Sequence, residues 1–212
     1  SSNVFVTIFP AGHILGASYI LLQIGNKNLL FTGDLGRNQH PILVAPDPLP
    51  NLEISALITE STYGARTHES PVEEFTKVIN RAVKRGGSIL IPAFAVDRTE
   101  VILIKLKDLI DQNQIPRIPI YVDSPMALES LHLYRKAVAR KDVEIRNEFV
   151  DKNFNRDPFD TFTLNEIKSV EDSKSINEPK NSCIIISASG MATGGRVVHH
   201  LKHMLPNPLH TI

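Results

Sequence analysis

The chain lacks three features that would each define a class of protein: abundant cysteine, an excess of one charge, and long apolar segments. Its single cysteine, Cys183, excludes an internal disulfide, and no signal-peptide pattern is visible, so a reducing cytoplasm is the expected compartment. Basic and acidic residues number 23 each, so no overall basic field favours nucleic acid, and any such site must be local. No apolar run reaches membrane-spanning length, which predicts no membrane partner.

The first 62 residues have the pattern of short strands joined by turns. Of the 212 residues, 42% are hydrophobic, which is enough for one large or two small cores. Apolar stretches predict strands at 4–9, 19–24, 29–32 and 55–59. The sequence GNKN predicts a hairpin turn between the second and third strands, so this sheet is expected to be antiparallel. Four prolines within residues 40–51 predict an irregular surface crossing there.

From about residue 70 onward, helical patterns alternate with short, continuous apolar runs. Ser70 and Pro71 predict the start of a helix that keeps helical apolar spacing to Arg85. Three strand-then-helix units follow, at 88–111, 118–140 and 182–205. This alternation is typical of an α/β fold with a parallel sheet covered by helices on both faces. A further amphipathic helix is predicted around residues 164–170.

Two polar residues of the first part follow predicted strands and lie beside glycines. PAGHILGAS places His13 in a loop between two strands, and FTGDLGR places Asp34 directly after a strand. An imidazole and a carboxylate held at neighbouring strand ends are ligand types suited to zinc. Glu60 ends another apolar run in ITESTYG, where a carboxylate must lie at a rim, be hydrogen-bonded or belong to a site. The alternative is that Glu60 caps the STYG turn or pairs with Arg66.

The second part carries a glycine-rich segment, SASGMATGGR, between a strand and a helix. In open parallel sheets, ligands bind beyond the carboxyl ends of the strands, where free N–H groups and the positive helix end can hold a phosphate. The candidate phosphate contacts are Ser187, Ser189, Gly190, Thr193, Gly194 and Arg196, together with Arg98. The alternatives are that the glycines serve close packing of helix on sheet, and that Arg98 pairs with Asp97, Glu100 or Asp123.

Five motifs, in this order, resemble the β-CASP family of the metallo-β-lactamase superfamily. They are FPAGHILGASYILLQIGNKNLLFTGDLGR, ITESTYG, IPAFAVDRTE, YVDSPMA and ISASGMATGGRVVHHL. The family contains RNA-processing nucleases, including those related to the polyadenylation-factor nuclease subunit. The resemblance implies that residues 1–62 are the C-terminal part of an αββα metallo-β-lactamase domain. Residues 63–212 would then be a β-CASP domain whose end is missing.

The resemblance also implies a chemistry and roles for named residues. His13 would be a zinc ligand, Asp34 would bridge two zinc ions, and Glu60 would orient a general-acid histidine. The expected function is zinc-dependent hydrolysis of RNA phosphodiester bonds, in which two zinc ions activate a water and neutralise the attacked phosphate. The expected partner is single-stranded RNA, bound without reading its sequence. The resemblance does not decide whether the chains form a homodimer.

The chain also departs from the family pattern. The motif His-x-His-x-Asp-His, which should precede the first residue, is absent, as are two histidines that should follow the last one. His199, His200 and His203 lie on a predicted helix and are expected to line an exposed or domain-facing side. We therefore expect an internal fragment of a longer enzyme, which binds catalytic zinc poorly and is inactive alone.

Two other functions are consistent with parts of the pattern. A non-catalytic RNA-binding relative would keep the fold and the phosphate loop, although His13, Asp34 and Glu60 argue against it. A metallohydrolase acting on small molecules would share His13 and Asp34, but it has no need of the inserted parallel sheet. Reading the sequence encoded before Ser1 would separate the first alternative from a nuclease.

Overall fold

The computed structural model describes residues 3–66 and 72–212, which fold into two compact units. One unit comprises Ser1–His68 and Ala137–Phe154, and the other comprises Glu69–Lys136 and Asn155–Ile212. The predicted helix start at Ser70 and Pro71 lies outside the described residues. No helix within the described ranges is long and apolar enough to cross a membrane.

The first unit contains a four-stranded sheet in the order β1-β2-β3-β4. The four strands are β1 (Val4–Pro10), β2 (Ser18–Ile24), β3 (Lys27–Phe31) and β4 (Ala56–Ile58). All four predicted strands are therefore present, and the tight turn between β2 and β3 makes an antiparallel hairpin. The prediction of a wholly antiparallel sheet is wrong at one edge, because β4 pairs with β3 in parallel. The two strands are parallel because the long segment between the end of β3 and the start of β4 brings the chain back to the level at which β3 begins.

The two faces of this sheet differ in how they are covered. Tyr19, Leu21 and Leu30 point to one face and are buried in a small core with Ala11. On the opposite face, Ile8 of β1 lies directly across from Ile20 of β2, and both side chains are exposed. This face is apolar and exposed in the described residues, because the period of two along each strand turns alternate residues outward.

The proline-rich segment is irregular, as predicted, but it is not confined to the surface. Ile42 and Leu43 are 0% and 1% exposed, and Leu43 forms an isolated bridge with Ile145. Nδ1 of His40 accepts hydrogen bonds from the backbone N–H groups of Ile42 and Leu43. Arg146, just before the short helix α4 (Asn147–Lys152), donates from Nε to the Leu43 carbonyl. These contacts satisfy backbone groups that have no partner in a β-sheet.

The second unit contains a fully parallel sheet in the order β5-β8-β6-β7. Its strands are β5 (Ile89–Pro92), β6 (Ile120–Asp123), β7 (Leu164–Glu166) and β8 (Ile184–Ser187). The accompanying helices are α1 (Val72–Lys84), α2 (Arg98–Asp111), α3 (Pro125–Arg140), α5 (Val170–Ser175) and α6 (Arg196–Met204). The predicted α/β class, with a helix-covered parallel sheet, is confirmed.

Burial explains why the strands of this sheet are continuous apolar runs. Ile184, Ile185 and Ile186 are all at most 1% exposed, so successive residues of β8 are buried on both faces of the sheet. The helix predicted around residues 164–170 is wrong. Residues 164–166 form β7 instead, because their backbone groups pair with β6, and the backbone N–H of Ile167 donates to Val122.

Candidate functional site

Close approach of two glycines brings the His13 loop against the Asp34 loop. The backbone N–H of Gly36 donates to the Ala11 carbonyl at 2.8 Å. A Cβ on Gly36 would overlap the carbonyl oxygen of Gly12, so only glycine fits there. Gly12 has a φ of +61°, and a Cβ on it would lie 2.7 Å from the Val44 carbonyl oxygen. The glycines beside His13 and Asp34 therefore set the distance between the two loops.

The structure brings together the three residues of the predicted metal and acid site. Nε2 of His13 lies 3.9 Å from Oδ2 of Asp34, and their side chains are 43% and 74% exposed. Oε1 of Glu60 accepts a hydrogen bond of 3.0 Å from the backbone N–H of Leu35, the residue after Asp34. His13, Asp34 and Glu60 therefore lie at one end of the first sheet, open to ligands from solvent.

Hydrogen bonds keep the Glu60 carboxyl ionised. The Thr62 side chain and the Leu35 backbone both donate to it and lower its pKa below the ordinary value, and the positive potential of His13 acts in the same direction. The Thr62 contact matches the alternative in which Glu60 caps the STYG turn. The alternative ion pair with Arg66 does not form among the described residues.

His13 and Asp34 fit part of a zinc site. An imidazole nitrogen and a carboxylate oxygen are typical zinc donors, and both are accessible here. Within residues 3–66 and 72–212, however, no group of three or more His, Cys, Asp or Glu side chains could hold a metal ion. A zinc ion bound by this pair would need further ligands from outside the described residues.

The carboxyl edge of the parallel sheet is organised around Asp123, which ends β6 and is fully buried. Oδ1 of Asp123 pairs with Arg196 at 2.6 Å, while Oδ2 lies 2.6 Å from Nε2 of His200 and accepts from the Ser173 hydroxyl. Burial raises the pKa of Asp123, but the hydrogen bonds from His200, Ser173 and Arg196 outweigh it and lower the pKa below its ordinary value. We call these four side chains the Asp123 network.

The position of His200 contradicts the expectation drawn from its helix. Its side chain is 0% exposed and faces Asp123, whereas His199 is exposed and His203 pairs with the exposed Glu178. Because 197, 200 and 204 share one face of α6, His200 takes a core position between Val197 and Met204, both 0% exposed. The sequence shows that spacing. It does not show the partner that stabilises the buried imidazole, because Asp123 is 77 residues away in the chain.

The two candidate arginines lie in different environments. Arg98 is exposed and forms no ion pair with Asp97, Glu100 or Asp123 among the described residues. Arg196 is the residue that pairs with Asp123, and its guanidinium also donates to the carbonyls of Ile167 and Lys168. Its side chain is only 18% exposed, so the same group that could face a phosphate already fixes the start of α6.

The remaining phosphate candidates fall into buried and accessible groups. The Ser187 hydroxyl is buried and donates to the Asp123 carbonyl, and the Ser189 oxygen is buried without a hydrogen-bond partner among the described residues. A Cβ on Gly190 would lie 3.0 Å from the backbone nitrogen of Phe94, so this glycine allows the loops after β5 and β8 to touch. Thr193 and Gly194 are exposed, and the space beside Gly194 is open.

Comparison with known proteins decides the family. A Beta-Casp domain profile matches residues 99–212, more than half of the chain. The chain belongs to the β-CASP family. The matched range contains the Asp123 network and the loop before α6, while His13, Asp34 and Glu60 precede it.

The most similar proteins include several nucleases. A ribonuclease of Thermus thermophilus is 37% identical over 202 residues, which are 93% of this chain and 45% of that protein. An RNase J-like protein of Methanocaldococcus jannaschii is 32% identical, over 98% of this chain and 48% of its own length. The cleavage and polyadenylation specificity factor subunit 3 of Dictyostelium discoideum is 31% identical, over 92% and 24%. The chain therefore spans about half of these relatives, or less.

Proposed function

We propose that this chain is part of a zinc-dependent ribonuclease that hydrolyses phosphodiester bonds of single-stranded RNA. The observation that carries the proposal is the convergence of His13, Asp34 and Glu60 at one end of the first sheet. The names of the relatives, two ribonuclease-type proteins and a cleavage factor subunit, support the same chemistry. In this proposal residues 1–62 belong to a metallo-β-lactamase domain and residues 63–212 to the β-CASP domain.

His13 and Asp34 would hold the metal, with further ligands supplied from outside the described residues. Bound zinc would lower the pKa of a water and neutralise charge on the attacked phosphate. The chain itself contributes rigid placement, since the contact between Gly12 and Gly36 fixes the two loops. The exposure of both side chains leaves room for the metal and the substrate.

Glu60 would act as a positioning residue in this site. Its carboxylate is held ionised by Thr62 and the Leu35 backbone, so it can accept a hydrogen bond from an imidazole and favour the protonated, acid form of that ring. The imidazole would belong to the general acid that protonates the leaving oxygen. Because the Leu35 contact ties Glu60 to the Asp34 loop, the acid would be placed next to the metal ligands.

The loop between β8 and α6 would hold the RNA backbone. Thr193 offers an exposed hydroxyl, Gly194 offers an open backbone, and the N-terminus of α6 favours an anion. Arg98, at the start of α2, adds an exposed guanidinium that forms no ion pair with the described residues. Ser187, Ser189 and Gly190 would support the loop from its buried side, and Arg196 would contact phosphate only through donors not already used by Asp123 and two carbonyls.

The test of the proposed function uses protein expressed from the complete open reading frame. Single-stranded RNA, single-stranded DNA of the same sequence and bis-p-nitrophenyl phosphate are incubated with the zinc-loaded enzyme, with and without a chelator. We expect cleavage of RNA that the chelator abolishes and zinc restores. Chelator-resistant cleavage, or binding of RNA without any cleavage, would contradict the proposal, and the second result would favour a non-catalytic RNA-binding protein.

The 212-residue chain alone is expected to be inactive and to bind zinc weakly. Catalytic zinc generally needs three protein ligands, and His13 and Asp34 supply two. Metal analysis of the purified chain should therefore find much less than two zinc ions per molecule. The sequence leaves the oligomeric state open, and sedimentation of the same sample would test whether the chain forms a homodimer.

A further inference from the structure

A groove runs between α5 and α6 and begins at the loop proposed above to hold phosphate. Its volume is about 610 Å³. The residues that line it are Val170, Ser173, Lys174, Asn177, Gly195, Arg196, His199 and His203. Of these lining residues, the function proposed above uses only Arg196, at the start of the groove. The rest of the groove has no assigned role.

The fixed charges among the described residues that line the groove are positive, and its two histidines can donate hydrogen bonds. Lys174 comes from α5, while Arg196, His199 and His203 occupy one face of α6 at spacings of three and four residues. None of the described residues that line the groove is acidic. Two carboxylates contact lining residues: the buried Asp123 pairs with Arg196 at 2.6 Å, and the exposed Glu178 lies 3.0 Å from Nδ1 of His203. Arg196 is already balanced by Asp123, whereas Lys174 and His199 are exposed and their side chains have no hydrogen-bond or ion-pair partner among the described residues.

The groove has the dimensions of a short stretch of nucleic acid backbone. From Gly195 to His203 the helix advances by about 12 Å, at a rise of about 1.5 Å per residue. In a stacked nucleic acid helix, each strand advances along the helix axis by about 3.4 Å per phosphate, and an extended strand advances farther. The groove could therefore follow about two to four phosphates.

A transition metal is the other ligand that two histidines four residues apart could bind. In the described part of the chain, however, no third histidine, cysteine or carboxylate completes such a site there. Lys174 on the opposite wall also opposes a cation. An extended anion fits the lining better than a metal ion does.

We propose that the groove between α5 and α6 is an RNA-backbone subsite that continues from the loop at 188–195, with Lys174 and His199 as its principal contacts. The inference rests on the proposed function, because it assumes that RNA is the anion bound at that loop. The inference also gives the direction of the bound RNA, which would follow α6 away from the carboxyl edge of the parallel sheet. The contacts go to phosphate, so the subsite is indifferent to base sequence.

The test compares two double variants of protein expressed from the complete open reading frame, with a chelator present so that RNA is bound without being cleaved. Lys174→Ala with His199→Ala removes the groove contacts, and neither side chain makes a hydrogen bond or ion pair with the described residues. Lys202→Ala with His132→Ala is the matched control. It removes the same two side-chain types from exposed positions outside the groove. Gly194→Ala is a third variant, which adds a methyl group into open space at the phosphate loop.

Binding of fluorescein-labelled oligouridylates of 4 and 12 nucleotides is measured by anisotropy over a range of salt concentrations. We expect the groove variant to bind the 12-mer about tenfold more weakly. Its salt slope should be smaller by about one, because fewer counterions are released on binding when one phosphate contact is lost. The 4-mer, which the loop alone can hold, should lose at most about twofold. The control variant should bind both RNAs as the unchanged chain does.

The outcomes separate this inference from the function on which it rests. If Gly194→Ala weakens binding of both RNAs while the groove variant binds the 12-mer normally, the groove inference is wrong and the loop stands. Equal losses in the groove and control variants would also overturn it, because they would show a general charge effect. If the unchanged chain binds neither RNA, the inference and the RNA-binding part of the proposed function both fail.

Discussion

His200 and Asp123 form a buried pair, with Nε2 of the imidazole 2.6 Å from Oδ2 of the carboxylate and both side chains 0% exposed. The same carboxylate holds Arg196 and Ser173, so one strand end ties together α5, α6 and the sheet. Because α6 follows directly from the 188–195 loop, the Asp123 network also fixes where that loop begins. Its removal should therefore affect stability first.

We expect Asp123→Asn to destabilise the chain by about 3 kcal/mol, because it leaves Arg196 without a counter-charge in a largely buried position. Urea unfolding at neutral pH measures the change. The matched control is Glu178→Gln, which breaks the exposed pair with His203 and should cost less than about 1 kcal/mol. Equal, small effects of the two substitutions would show that the Asp123 network is not a stabilising element.

Glu100 gives the chain a pH-dependent stability. This side chain in the first turn of α2 is 0% exposed, and burial raises its pKa to about 7. Below the unfolded-state pKa of about 4.5, the Glu100 carboxyl is neutral in both the folded and the unfolded state. Between that pH and about pH 7 only the unfolded state ionises, so the free energy of unfolding falls as the pH rises. Glu100→Gln should therefore match the unchanged chain at pH 4 and exceed it by up to about 3 kcal/mol at pH 8. Parallel stability curves from pH 4 to 8 would contradict this.

The two arginines should respond differently to truncation. Arg98→Ala removes an exposed cation that has no ion pair in the described part of the chain, so we expect weaker RNA binding, a smaller salt slope and unchanged stability. Arg196→Ala should weaken binding too, but with a large loss of stability, because Asp123 is left buried without its ion pair. RNA titrations and urea unfolding of the same samples separate the two effects. If Arg98→Ala binds RNA normally, its assignment to the RNA backbone is wrong.

Gly36 should tolerate no side chain. In Gly36→Ala the added Cβ would overlap the Gly12 carbonyl oxygen and lie 2.6 Å from the backbone nitrogen of His13, so the loops must separate. We expect a loss of about 1–3 kcal/mol or more, seen as a lower thermal midpoint. Gly194→Ala is the control, since its methyl group enters open space. Identical midpoints for both variants would mean that the two loops are not held as described.

Local sequence patterns were sufficient for most of the secondary structure. The hairpin of β2 and β3 follows from alternation and a short polar turn, and β8 follows from an uninterrupted apolar run. The parallel pairing of β4 with β3 could not be predicted, because it depends on where a proline-rich crossing of more than twenty residues returns the chain. The error at residues 164–170 has a similar cause. A three-residue strand at a sheet edge is defined by its partner, β6, and not by its own periodicity.

The candidate sites show the same division between local and distant information. His13 and Asp34 are predicted as candidates because each lies beside glycines after a strand, and Gly12 and Gly36 bring their loops together in the structure. The burial of His200 was missed, because a helix face does not reveal that a carboxylate 77 residues earlier lies beneath it. Local patterns could not predict the different environments of Arg98 and Arg196 either. Both residues follow strand ends, and only tertiary contacts distinguish them.

The most direct test of the account is Asp34→Ala in protein expressed from the complete open reading frame, with Glu53→Ala as an exposed-carboxylate control in the same unit. RNA cleavage, zinc content and thermal midpoint are measured for both variants. We predict that Asp34→Ala loses zinc and at least about a thousandfold in cleavage rate while its midpoint stays nearly unchanged, because a metal ligand exposed at a strand end serves the ion and not the core. The control should behave as the unchanged protein. RNA cleavage by Asp34→Ala at a near-normal rate in the presence of zinc would contradict the account.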